Sequence, residues 1–187
     1  MTQSPSVRNS SPDKAMPLVY ISMLPESPIG PLWVAVTDLG LAAVEWSMSQ
    51  ADFISLIKKR FPAMDILHNE SYTKEALNQL SEYLAGNRRE FDLLLDLSAM
   101  TSFQLQVLHL TYHIPYGHTS TYKEIAIQVG KPNAARAVGR VEATNPIPLV
   151  IPCHRVLGSD GSLHGYGGPG GIKLKAWLLQ LEGAVLK

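Results

Sequence analysis

Thr121-Tyr122-Lys123-Glu124-Ile125-Ala126-Ile127-Gln128-Val129-Gly130-Lys131-Pro132-Asn133-Ala134-Ala135-Arg136-Ala137-Val138-Gly139-Arg140-Val141-Glu142-Ala143-Thr144 reads as two helices around a short turn. Thr121 and Glu124 have the spacing of a capping box, which satisfies two backbone donors at a helix start. The helix they open runs through Ile125 and Val129, and Gly130 stops it. After Lys131-Pro132, Asn133 is placed to cap a second helix reaching about Thr144, and Pro146 forbids continuation. Helix, short turn, helix is the pattern of a helix-turn-helix. In the second helix Ala134, Val138 and Val141 fall on one face and should pack inward. Arg136 and Arg140, four apart, share another face. The small Ala135, Ala137, Gly139 and Ala143 surround them. Such a helix can approach a groove wall closely while its cations reach phosphate or base edges. An ordinary amphipathic helix with solvated arginines has the same pattern.

Upstream, Thr101-Ser102-Phe103-Gln104 forms a further capping box, ahead of a helix lined by Phe103, Val107 and Leu110. Ile114-Pro115-Tyr116-Gly117 ends that helix. Nearer the start, strands are expected from Leu18 to about Met23, Leu32 to Thr37 and Leu41 to Trp46, with Pro25, Pro28, Gly30 and Pro31 and then Asp38-Leu39-Gly40 breaking them apart. Phe53, Leu56, Ile57 and Phe61 recur at helical spacing, as do Leu77, Leu80 and Leu84 before Gly86. The expected fold is an α+β N-terminal domain with a small antiparallel sheet, followed by a mainly α-helical C-terminal domain containing the helix-turn-helix. The expected boundaries are a disordered Ser/Pro-rich tail over 1–16, the α+β domain over 17–88, a linker over 89–100 and the helical domain over 101–187.

The formal net charge is zero, which at first argues against a polyanionic partner. The halves differ, however. Residues 1–100 hold 8 Lys/Arg against 12 Asp/Glu, whereas 101–187 hold 8 against 4, with five of the six histidines. Only the second half is suited to meet a polyanion. No apolar run is long enough to span a membrane, and the N-terminal residues lack the apolar stretch of a signal peptide. The single cysteine suits a reducing compartment, and a cytoplasmic or other intracellular location is expected.

That cysteine, Cys153, stands in Pro152-Cys153-His154-Arg155 after the apolar run Ile147-Pro148-Leu149-Val150-Ile151. Most free cysteines are packing residues. A thiol beside an imidazole, though, can be held as the nucleophilic thiolate. One cysteine cannot form an intrachain disulfide or a multi-cysteine zinc site, and neither metal nor cofactor is expected.

Asn145-Pro146-Ile147-Pro148-Leu149-Val150-Ile151-Pro152-Cys153-His154-Arg155-Val156 resembles the acceptor site of the O6-alkylguanine-DNA alkyltransferases. Lys131 to Gly139 is similar to that family's recognition helix, and Lys175-Ala176-Trp177-Leu178-Leu179-Gln180-Leu181-Glu182-Gly183 to its closing motif. Ser27 to Trp33 is similar to its N-terminal part. The resemblance covers roughly residues 28–183. It implies that the chain flips O6-alkylguanine, with O4-alkylthymine as a further candidate, out of duplex DNA and takes the alkyl group irreversibly onto Cys153, once per molecule. His154 is then the base, acting through a water, and Glu182 the carboxylate that orients it. Tyr122 donates to the guanine, Asn145 braces the active-site turn, and Tyr166 lines the guanine pocket together with Tyr122. The implied partner is double-stranded DNA, contacted in the minor groove by a monomer. Its expected contacts are Arg136, Arg140, Ala135, Gly139, Lys123, Lys131, Gln104 and Ser159.

The chain departs from the family pattern in three places. Glu142 and Thr144 stand where small or basic residues are common, and Glu142 would repel phosphate if it faced DNA. The Gly167–Gly171 loop is about two residues longer than usual. The cysteines that bind zinc in some members are missing. Three other readings compete with repair by transfer: an alkyltransferase-like protein that binds the lesion without transfer, a helix-turn-helix regulator, and a cysteine hydrolase using Cys153, His154 and Glu182.

Overall fold

The computed structural model describes residues 16–167 and 170–184. The expected N-terminal tail, apart from Met16, lies outside the described residues, as do Gly168 and Pro169 of the lengthened loop. Strands β1 (Leu18–Leu24), β2 (Leu32–Thr37) and β3 (Gly40–Trp46) form antiparallel pairs in the order β3-β2-β1. A fourth strand, β4 (Asp65–His68), lies beside β1 and runs parallel to it. The sheet is therefore mixed, which corrects the antiparallel expectation. Helix α1 (Gln50–Arg60) carries the chain across the sheet after β3 and delivers β4 to the β1 edge.

Side chains alternate across the sheet with the two-residue period of a strand. Trp33 and Ala35 of β2 join Val19, Ile21 and Ala43 beneath Phe53, Ile57 and Phe61, which come from α1 and the residue that ends it. Leu32 and Val34 point the other way, to Ala76, Leu80, Tyr83 and Leu84 of helix α2 (Glu70–Leu84). That second core continues without a break into the C-terminal half, through Val107, Leu108, Ile125, Val138, Ile147 and Leu178. The α+β sheet and the helical part thus share one apolar interior.

The 89–100 segment is pinned to the sheet. Leu41 N donates to Leu94 O at 2.8 Å, Asp96 N donates to Leu41 O at 2.8 Å, and Thr37 Oγ1 donates to the Asp96 carboxylate at 2.6 Å. Gly40 permits this approach: its φ is +136°, and a Cβ there would collide with the Leu94 carbonyl.

In the C-terminal half, α3 (Ser102–Tyr112) and α4 (Tyr122–Gln128) each begin with a complete capping box, Thr101/Gln104 and Thr121/Glu124. Helix α5 (Ala135–Ala143) does not begin as expected. Its cap position is Ala134, with no side-chain cap, and the preceding turn is closed by Ala134 N on Lys131 O at 2.8 Å. Backbone bonding in the turn replaces the expected Asn133 cap. Two short strands, β5 (Ser120–Thr121) and β6 (Val156–Leu157), pair in parallel and bring the start of α4 beside the segment that follows Cys153. Helix α6 (Gly171–Leu181) closes the chain's described part.

Candidate active site

The turn that presents Cys153 is built by Asn145. Its Nδ2 donates to Ile151 O at 2.7 Å, and its Oδ1 accepts from Ile147 N at 3.0 Å, so one side chain ties both ends of the apolar run. Leu149 sits inside this turn at φ +74°, a conformation that costs a leucine energy and that its complete burial enforces. From the other domain, Val44 N of β3 donates to Pro146 O at 3.0 Å. Cys153, His154 and Arg155 then form a single 3-10 turn.

Cys153 is 6% exposed at the floor of a cleft of about 290 Å³. Glu142, Asn145 and Tyr166 line it from the C-terminal half, and Glu45, Trp46 and Arg60 from the sheet domain. Burial, and then the charge of Glu142, push the thiol up to about 12; Asn145 and Tyr166 flank the sulfur and work against that shift. The resting group is therefore a thiol, not the imidazole-stabilised thiolate expected from the Cys-His pair. Burial decides its protonation.

Behind the cysteine, Glu182 gathers donors from four residues in three parts of the chain. His154 Nε2 lies 2.8 Å from Oε1, Arg155 donates through Nε at 2.9 Å and an NH2 nitrogen at 2.8 Å, and Tyr83 Oη donates at 2.6 Å. Gly117 N donates to Oε2 at 3.3 Å. Burial alone would raise the Glu182 carboxyl, but the His154 and Arg155 hydrogen bonds bring it down to about 2. An acid at the end of α6 opposes the helix dipole by a few tenths of a kcal/mol, which the five donors outweigh. A carboxylate only accepts, so the His154 hydrogen is on Nε2 and the lone pair is on Nδ1. Nδ1 is buried and has no hydrogen-bond partner among the described residues. Burial also lowers the His154 pKa, against the pull of Glu182, and keeps the ring neutral at rest.

Beside the sulfur, burial raises Tyr122 to about 12, so its hydroxyl stays a donor at neutral pH. Lys175 is wholly buried, with Nζ donating to Val156 O at 2.6 Å and to Tyr122 Oη at 3.5 Å. Desolvation lowers it to about 8. A larger groove of about 540 Å³ adjoins the cleft, sharing Ala143, Tyr166 and Gly167 with it. Tyr122, Lys123, Ala135, Arg136, Gly139 and Ser159 line this groove. The Tyr122 ring lies against α5 at Gly139, 3.8 Å from where a Cβ would be, an ordinary contact distance.

Cys153, Asn145 and Tyr166 thus meet in the cleft; Tyr122, Lys123, Ala135, Arg136, Gly139 and Ser159 meet in the groove; and His154 and Glu182 lie behind them. Gln104 does not join either set, because its side chain is committed to capping Thr101. Arg140 is exposed outside the groove lining, and the Lys131 ammonium rests over the Phe103 ring at 4.9 Å. Glu142 is 6% exposed and faces inward, not toward phosphate. The sequence reading gave no role to Tyr83, Arg155, Gly117 or Lys175. Only Lys175 carried a local signal, a lysine set among Leu174, Trp177 and Leu178.

Two family models match the chain: the DNA binding domain of 6-O-methylguanine DNA methyltransferase over residues 102–184, and the ribonuclease-like domain of the same family over 18–97. The chain is 44% identical to a methylated-DNA–protein-cysteine methyltransferase of Methanosarcina barkeri, over 84% of this chain and 93% of that one. It is 41% identical to the protein of that name from Mycobacterium leprae, over 84% and 88%. The crystal structure of Mycobacterium tuberculosis OGT in complex with DNA superposes with a TM-score of 0.72 at 39% identity, covering 89% of this chain and 92% of that one. Matched along both domains, the chain belongs to the 6-O-methylguanine DNA methyltransferase family.

Proposed function

We propose that this chain repairs DNA by direct reversal, moving the alkyl group of O6-alkylguanine to Cys153 in a single irreversible event. The observation that carries the reading is one reactive sulfur at the floor of a cleft that opens into an arginine-edged groove, with a buried imidazole and carboxylate behind it. The partner is duplex DNA. Helices α4 and α5 act as a helix-turn-helix, with Arg136 at the groove and the small Ala135 and Gly139 allowing close approach. Because the O6 substituent lies inside the duplex, the base must leave the stack before a buried sulfur can reach it. An intracellular setting, where a lone thiol stays reduced, belongs to the same proposal. Among the described residues no helix is long and apolar enough to cross a membrane.

The chemistry follows from the resting protonation states. Sulfur attacks the alkyl carbon in line as the carbon–O6 bond breaks, and the electron pair of that bond goes to guanine. The thiol proton leaves toward His154 Nδ1, through a water, and Glu182 stabilises the imidazolium that results. Tyr122 gives a proton to the departing guanine and regains one from solvent as His154 releases its own, so the proton lost at sulfur is balanced by the one gained by guanine. The thioether is stable, so the protein is consumed. Cys153→Ser tests the proposal. It should bind a duplex carrying O6-methylguanine as well as the parent does and leave the methyl group on the DNA; methyl loss at the parent rate would overturn it.

A further inference from the structure

The mechanism leaves Glu142 without a task, yet the residue lines the Cys153 cleft. It stands in the last turn of α5, where Thr111 Oγ1 of α3 donates to its Oε1 at 2.6 Å and fixes the side chain. Oε2 is buried and has no hydrogen-bond partner among the described residues. Its neighbour in charge, Lys175, is held elsewhere, on Val156 O and Tyr122 Oη. Glu45, another carboxyl lining the cleft, is also pushed up to about 7 but is only half-buried, with the charge of Arg60 working against that rise. Burial pushes the Glu142 carboxyl up to about 7, and its charge is felt at the Cys153 sulfur.

We infer that Glu142 selects which alkyl groups the cleft accepts: its unshared oxygen admits groups that are neutral and small or that end in a hydrogen-bond donor, and it resists groups that end in an anion. The inference rests on the proposed transfer to Cys153. The carbon under attack must sit at the sulfur, so whatever extends from it occupies the same cleft. A terminal hydroxyl donates to Oε2 and satisfies a buried acceptor. A terminal carboxylate instead places two like charges together in a poorly solvated space, which slows transfer by tenfold or more.

The test is competitive single-turnover transfer from duplexes carrying O6-methylguanine, O6-(2-hydroxyethyl)guanine or O6-carboxymethylguanine, at about pH 8, where Glu142 is ionised. The parent protein should take the hydroxyethyl group within a few-fold of methyl, and the carboxymethyl group at least tenfold more slowly than methyl. Glu142→Gln, and separately Glu142→Met, should raise the carboxymethyl-to-methyl ratio about tenfold, while Glu45→Gln moves it less than twofold. Ratios are taken within each variant, so a partly misfolded preparation does not distort them. Equal carboxymethyl and methyl rates in the parent, a ratio unmoved in both Glu142 variants, or an equal shift in Glu45→Gln would each overturn the inference. Failure of the parent's methyl arm would instead remove the transfer reading on which it rests.

Discussion

Behind Cys153 and along α5 the protein handles charge in opposite ways. Glu182 and Arg155 are buried and locked to each other, to His154 and to Tyr83 with little freedom left. On α5, Arg136 and Arg140 stand exposed to solvent. A buried network must be complete before substrate arrives, because an unmatched charge there destabilises the fold itself. Exposed arginines cost the free protein almost nothing and gain their value when they meet phosphate. Chemistry and DNA engagement should therefore fail separately, and in different observables.

The largest break is expected at the base. His154→Ala removes the proposed proton acceptor and should slow methyl transfer by about 10²–10⁴-fold while lesion binding persists. A loss of binding equal to the loss of rate would show that the two regions are not separable. Glu182→Gln comes next, and here stability is the readout. It leaves Arg155 buried against a neutral partner, so unfolding in urea should show a loss of about 3 kcal/mol, with a melting temperature lower by roughly 6–12 °C. An unchanged melting temperature would mean that the Arg155–Glu182 pair is not part of the fold's support.

The groove side should respond through substrate form and salt. Arg136→Ala should slow transfer from duplex DNA about tenfold more than transfer from a free O6-benzylguanine base, since only the duplex requires extrusion. Equal losses on both substrates would take Arg136 out of that role. Arg140→Ala should lower the slope of log affinity against log salt by about one, the signature of a single phosphate contact.

The smallest effect is a pH dependence confined to the buried side. The folded Cys153 thiol is held up at about 12 against 9.0 unfolded, so its contribution to stability is complete below pH 9 and is lost as pH rises from 9 toward 12. Between about pH 9 and 10 denaturation should show a loss of stability of roughly 1 kcal/mol that Cys153→Ser lacks. Identical losses would place the thiol in solvent.

The same contrast explains what could be read from the chain. Arg136, Arg140 and the capping boxes at Thr101 and Thr121 lie within a few residues of their partners, and helical spacing exposes them. The partners of Glu182 come from residues 83, 117 and 154–155, joined only when α2 of the sheet domain packs against the C-terminal half. No local pattern marks Tyr83 as more than a core tyrosine. Strand β4 escaped for a related reason, since Asp65-Ile66-Leu67-His68 lacks alternation and is defined by the β1 edge it joins. The thiolate expectation failed because burial is a property of the fold and not of the Cys-His pair. Gln104 stands outside the groove lining, and the motif that revealed its helix also engages its side chain.

Whether one buried sulfur accepts the alkyl group and the protein is then spent is decided by intact and peptide mass measurement after incubation with excess O6-methylguanine duplex. The expected result is a gain of about 14 Da per molecule, confined to the peptide that contains Cys153, reaching one equivalent and going no further. A methyl group on any other residue, or more lesions repaired than protein molecules present, would contradict it.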